Sequence, residues 1–191
     1  MATRSALVFG GLLAVSTAAN AQGYFSFGEI PGVDMKPTIQ IDMNSAMLSF
    51  VSEAAKAAGA EPDAAAALAG ITHVRVYVYE GISDDLLDVL KFVDATSESL
   101  ERDGWHAVVR VRENDEQVRV YMKPAAPGSD VAPGSLAGLT LMVTDGGAGD
   151  EAVFINVAGV IQPAQLGRIA AAIGMDGMFN MVPGVGAQNV P

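Results

Sequence analysis

Apolar and polar residues along the chain settle into the two rhythms of regular secondary structure, a period of two for strands and about 3.6 for helices. Residues 72–80 (THVRVYVYE) carry the clearest strand signal: His73, Arg75, Tyr77 and Tyr79 alternate with Val74, Val76 and Val78. The same alternation predicts strands over 39–43, 105–113, 117–123, 136–144 and 151–159. A turn at Asn114-Asp115-Glu116 and a loop from Asp145 to Asp150 make hairpins of the last four. Helical spacing predicts a helix capped by Asn44, with Met47, Leu48, Val51, Ala54, Ala55 and Ala58 along one side and a stop at Gly59. A short Ala-rich helix opens at Glu61-Pro62-Asp63. A long helix is expected to be capped by Ser83, striped by Leu86, Leu87, Leu90, Val93, Ser97 and Leu100, and ended by Gly104. Pro163 opens a last helix.

The order β-α-α-β-α-β-β-β-β-α predicts an α+β fold, with a largely antiparallel four- to five-stranded sheet and helices packed on one face. A right-handed crossover through the long helix would make its flanking strands parallel neighbours. Trp105, directly after the helix-stopping Gly104, is expected to be buried between that helix and the sheet.

The amino end changes the picture. Arg4 precedes an apolar run (ALVFGGLLAVSTAA) closed by Ala19-Asn20-Ala21. That is the pattern of a cleaved signal peptide, so residues 1–21 are expected to leave and the mature chain to begin at Gln22. The domain division that follows is a signal peptide (1–21), a flexible lead-in (22–36), a single α+β domain (37–174) and a Met- and Gly-rich mobile tail (175–191). The expected location is periplasmic or secreted, with no membrane span after cleavage.

Composition then removes chemistries. The chain has 191 residues, half of them hydrophobic, no cysteine, and a formal net charge of -11. Disulfide scaffolds, thiolate metal sites and cysteine nucleophiles are excluded, and a nucleic-acid partner is not expected on so acidic a chain. No GxSxG elbow, P-loop or GxGxxG motif is present. Met175, Met178 and Met181 form a run that could offer thioethers to Cu(I), or simply a loose tail. His73 and His106 would meet at one sheet edge if their strands were neighbours. Two imidazoles alone make a weak metal site, so no metal, no cofactor and no catalytic residue is expected.

Strand parity carries the candidate site. With Val74, Val109 and Val120 facing the core, Arg75, Arg110, Arg112, Arg119 and Lys123 share the other side of the sheet, half of the basic residues left after residues 1–21 are removed. Tyr77, Tyr79, Tyr121, Phe154, His73 and His106 accompany them, and no acid from the interior of these strands joins them. Such a basic, aromatic face suits an acidic protein or envelope partner. It could equally be an ordinary solvated face, or one covered by the N-terminal segment or a second copy.

Taken together, VRVYVYE, Gly104-Trp105, VRVYMKP, GLTLMVTDG and EAVFINVAGVIQPAQLGRI resemble the bacterial domain-of-unknown-function family 4252 over about residues 37–175. The resemblance implies a small exported envelope protein, although this chain lacks the anchor cysteine of lipid-linked members, and it brings no catalytic residues. The expectation is therefore a non-enzymatic module binding a protein or envelope component through its sheet face. The alternative is a small periplasmic hydrolase or metal-handling protein using His73, His106 or the Met run.

Overall fold

The computed structural model describes residues 22–59, 68, 70–113, 115–126, 131–162 and 165. The expected leader, the tail with its Met run, and the helices opening near residues 61 and 163 lie outside these, apart from Leu68 and Gln165. The described elements are β1 (Ile39–Asn44), α1 (Ser45–Ala57), β2 (Ile71–Glu80), a 3-10 turn (Ser83–Asp85), α2 (Leu86–Arg102), β3 (His106–Glu113), β4 (Glu116–Pro124), β5 (Leu136–Asp145) and β6 (Glu151–Ile161). All six strands form one sheet in the order β1-β2-β6-β5-β4-β3, antiparallel at every junction. The fold is thus α+β, but the sheet has six strands where four to five were expected. The strands flanking α2 are not neighbours either: β6, β5 and β4 lie between β2 and β3. The β3–β4 and β5–β6 hairpins pair with each other through β4 and β5, which leaves β3 at the far edge.

Both faces of the sheet are core, which also corrects the expectation of helices on a single face. Leu48 of α1 packs with Val118, Val120, Leu139, Leu141, Ile155 and Val157 on one side. On the other, Val89, Val93 and Leu100 of α2 pack with Tyr121, Met142, Phe154 and Tyr79. Helical periodicity reports an apolar stripe and cannot report which side of a sheet that stripe will choose.

Local bonds fix two of the helix ends and a distant one fixes a third. Asn44 caps α1 as expected, its side chain accepting the Met47 N–H at 3.1 Å. Ser83 does not cap α2. Asp150, at the end of the β5–β6 loop, accepts both the Ser83 N–H at 2.7 Å and its hydroxyl at 2.6 Å, so one side-chain acceptor ties the start of the α2 region to that loop. At the other end Gly104 (φ 81°) donates to Glu101 O and Trp105 N–H donates to Leu100 O. These are the paired bonds of a Schellman closure, which needs a residue without a Cβ at the left-handed position.

Residues 22–36, expected as a flexible lead-in, are a packed strap across the α2 side of the sheet. Phe27 and Ile30 are buried with Phe154 and Tyr79, and Phe25, Val33 and Met35 pack against them. Asn156 of β6, fully buried, accepts the Phe25 N–H at 3.0 Å and donates to Gly23 O at 3.2 Å. Gly23 lies so close to β5 that a Cβ there would come within 1.6 Å of Ala137 O.

Candidate functional site: the arginine and tyrosine face

Register places the expected residues on one side of the sheet. Arg110 pairs Arg119, which pairs Met142, then Phe154, then Tyr77; Arg75 pairs Asn156, then Thr140, then Tyr121. Arg112 falls opposite Gln117, Tyr79 opposite Ala152, and Lys123 opposite Gly138, on the same side. Because side chains alternate along the regularly paired stretches of these strands, this set and the Val74, Val109 and Val120 set occupy opposite faces.

His106 is the exception and is a correction. A bulge between Ala107 and Val109 shifts the register, so His106 stands opposite Met122 on the valine side. His73 remains on the arginine side, where its ring meets Tyr24 edge-on at 5.1 Å. Four strand spacings, roughly 19 Å, and the thickness of the sheet separate the two imidazoles. Among the described residues no group of three or more His, Cys, Asp or Glu is placed to hold a metal ion.

The face is not open. Tyr121, Phe154, Met142 and Thr140 are each at most 1 % exposed, beneath α2 and the strap. The chain supplies its own counter-charges. Arg75 bonds Asp42 of β1 at 2.7 Å and Ser26 of the strap at 2.7 Å, and stacks on Tyr24. Burial opposes the charge on Arg75, but the bond to Asp42 and the neighbouring Tyr24 and Tyr77 outweigh it and raise its pKa. Asp42 is therefore an acid on this face that the five later strands alone did not reveal. Arg119, only 12 % exposed in its side chain, bonds Asp94 and Ser97 of α2 and Gln117 beside it. Arg110 bonds Glu101 and the Tyr121 hydroxyl, and the latter bond is the leading cause of its raised pKa. Lys123 sits over the Trp105 ring at 5.8 Å. Asp94 and Glu101 are seven residues apart on α2, two turns on one side of the helix, and so meet Arg119 and Arg110 in turn.

What remains accessible is a groove of about 490 Å³ between α2 and the β3–β4 edge, lined by Arg110, Arg112 and Arg119 on the sheet wall and Asp94, Glu98 and Glu101 on the helix wall. Arg112 is exposed, and its one side-chain partner among the described residues is the neutral Gln117 amide oxygen at 3.3 Å. Of the eight expected residues, Arg75, Tyr79, Arg119, Tyr121 and Lys123 are engaged inside the fold and Tyr77 is half-buried under the strap. Arg110 and Arg112 alone stand exposed at the edge.

The model of the domain of unknown function DUF4252 matches residues 27–169, from the middle of the strap to beyond β6, and the chain belongs to that family. Searches of curated proteins and of solved structures returned no significant match. Among the described residues, no helix is long and apolar enough to cross a membrane.

Proposed function

We propose that this protein is an exported, non-enzymatic binding module that docks an acidic segment of a protein or envelope partner in the groove between α2 and the β3–β4 edge. The observation that supports this reading is Arg112, an exposed guanidinium that no carboxylate neutralises among the described residues, on a wall it shares with two further arginines. A guanidinium presents a planar fork of donors that matches a carboxylate. Glu101 and Asp94 already show the geometry in which carboxylates meet this row of arginines. Export follows from the leader, and N-terminal sequencing of protein recovered outside the cytoplasm should read from Gln22; an intact Met1 would contradict it.

The groove reading has a direct test with oligoglutamate as the probe. Fluorescence anisotropy should report binding that weakens as salt rises, since exposed charges are screened beyond ~8–10 Å at physiological ionic strength. Arg112→Glu should weaken it at least fivefold while leaving the unfolding midpoint nearly unchanged. Arg119→Glu behaves differently. It removes the donor to Ser97 and sets a like charge beside Asp94, so it should cost about 1–3 kcal/mol of stability by urea denaturation. Equal probe binding by wild type and Arg112→Glu would remove the groove from consideration.

A further inference from the structure

A second concavity, formed by other residues, lies on the opposite flank of the same face. The strap and the β1–β2 side of the sheet line an open groove of about 920 Å³, within the size range of small-molecule sites. Its sheet wall presents Tyr77 and Tyr79, and Phe27 of the strap closes the floor. Neither tyrosine hydroxyl has a hydrogen-bond partner among the described residues, although Tyr79 is only 7 % exposed. Glu29 and Asp34 line the same groove from the strap, exposed and with no ion pair among the described residues; Lys36 is the one cation beside them.

We propose that this groove binds a small organic ammonium ion of the trimethylammonium type. The chemistry follows from the walls. Aromatic rings carry negative faces that attract a cation, best when it is weakly hydrated and bears methyl groups that pack on the rings. Two carboxylates against one lysine leave the rim net negative, which favours a cation over a neutral ligand of the same shape. Burial is the leading cause of a raised Tyr79 pKa, and Tyr77 and then Glu29 add to it by charge. The free hydroxyls of Tyr77 and Tyr79 would orient a polar substituent on the ligand without breaking any internal bond.

Choline chloride, its uncharged isostere 3,3-dimethylbutanol, and phosphatidylcholine vesicles test the site at constant ionic strength, with amide chemical shifts and vesicle co-sedimentation as readouts. Choline should give saturable shifts centred on Tyr77, Tyr79 and residues 27–35. The isostere should bind at least tenfold more weakly, and the double variant Glu29→Gln with Asp34→Asn should weaken choline at least fivefold. Both acids are exposed, so the variant should keep the native near-UV spectrum. Binding to vesicles alone, lost in the double variant, would assign the ammonium to a lipid headgroup. The proposal is overturned by equal binding of choline and its isostere, by vesicle binding that persists in the double variant, by shifts centred on Arg110 and Arg112, or by no saturable binding to either source.

Discussion

Trp105→Ala should lower the stability of the folded protein by about 3–5 kcal/mol, through lost apolar burial and the cavity left behind. The indole is 3 % exposed and sits where three constraints meet. Its backbone N–H completes the Schellman closure of α2, so its position is set by the helix end. Its side chain belongs to the same buried cluster as Leu100, the carbonyl partner in that closure, and Tyr121 on β4. The far edge of the ring lies over the bare backbone of Gly138, where an added Cβ would come within 2.5 Å of Trp105 Cη2. Neither the glycine backbone nor the closed helix end can collapse into the space, so the cost should sit in the upper part of the range for aromatic-to-alanine changes. Urea denaturation followed by circular dichroism measures it, since the variant has no tryptophan to report fluorescence. In the wild type the same burial predicts a blue-shifted emission that is poorly quenched by iodide. A red-shifted, freely quenched emission would place the ring in water and contradict the packing.

The sequence was legible where a period governs the outcome. Six alternating segments became six strands with ends displaced by at most two residues, and the basic and aromatic residues did share a face because alternation leaves no other choice. Three things were not legible, each for a physical reason. The bulge at 107–109 turned His106 to the other side, and nothing in a run of HAVVRV marks which residue will be unpaired. The strap has no period at all. Phe25, Phe27 and Ile30 insert singly from irregular backbone, and the surface that orders them lies more than a hundred residues away in β6. The occupancy of the arginine face was hidden for a different reason, although a signal existed. Asp94, Glu98 and Glu101 flank the buried stripe of Val93, Ser97 and Leu100 of α2 on one side. A helix laid on a basic sheet face with an acidic border beside its apolar stripe neutralises that face, and Asp94 and Glu101 are the partners of Arg119 and Arg110. Of the three arginines that line the groove, Arg112 alone has no ion pair among the described residues, which is why the candidate site contracts to the sheet edge.

Asn156→Leu should release the strap. Leucine keeps the asparagine's branched heavy-atom skeleton but carries larger, apolar methyl groups where the amide's bonds are made. Those bonds are four: acceptance of the Phe25 N–H, and donation to Gly23 O, Leu139 O and Thr140 Oγ1. The residue is fully buried, and water cannot replace the amide while the strap stays in place. Each orphaned buried group costs roughly 1–3 kcal/mol, so the docked strap should lose about 3 kcal/mol or more of its stability. Undocking restores water to the Phe25 N–H and Gly23 carbonyl but uncovers Phe154 and Tyr79, which the strap's Phe27 and Ile30 shield. The variant should therefore exchange amide hydrogens faster across residues 22–36, and become open to proteolysis there, while the central pairs of β4, β5 and β6 keep their protection. Choline shifts at Tyr77 and Tyr79 should weaken in parallel, because the strap is one wall of that groove. Uniform loss of protection over sheet and strap together would mean that Asn156 serves the β5–β6 junction through Leu139 and Thr140, and that the strap is held by its aromatic residues alone.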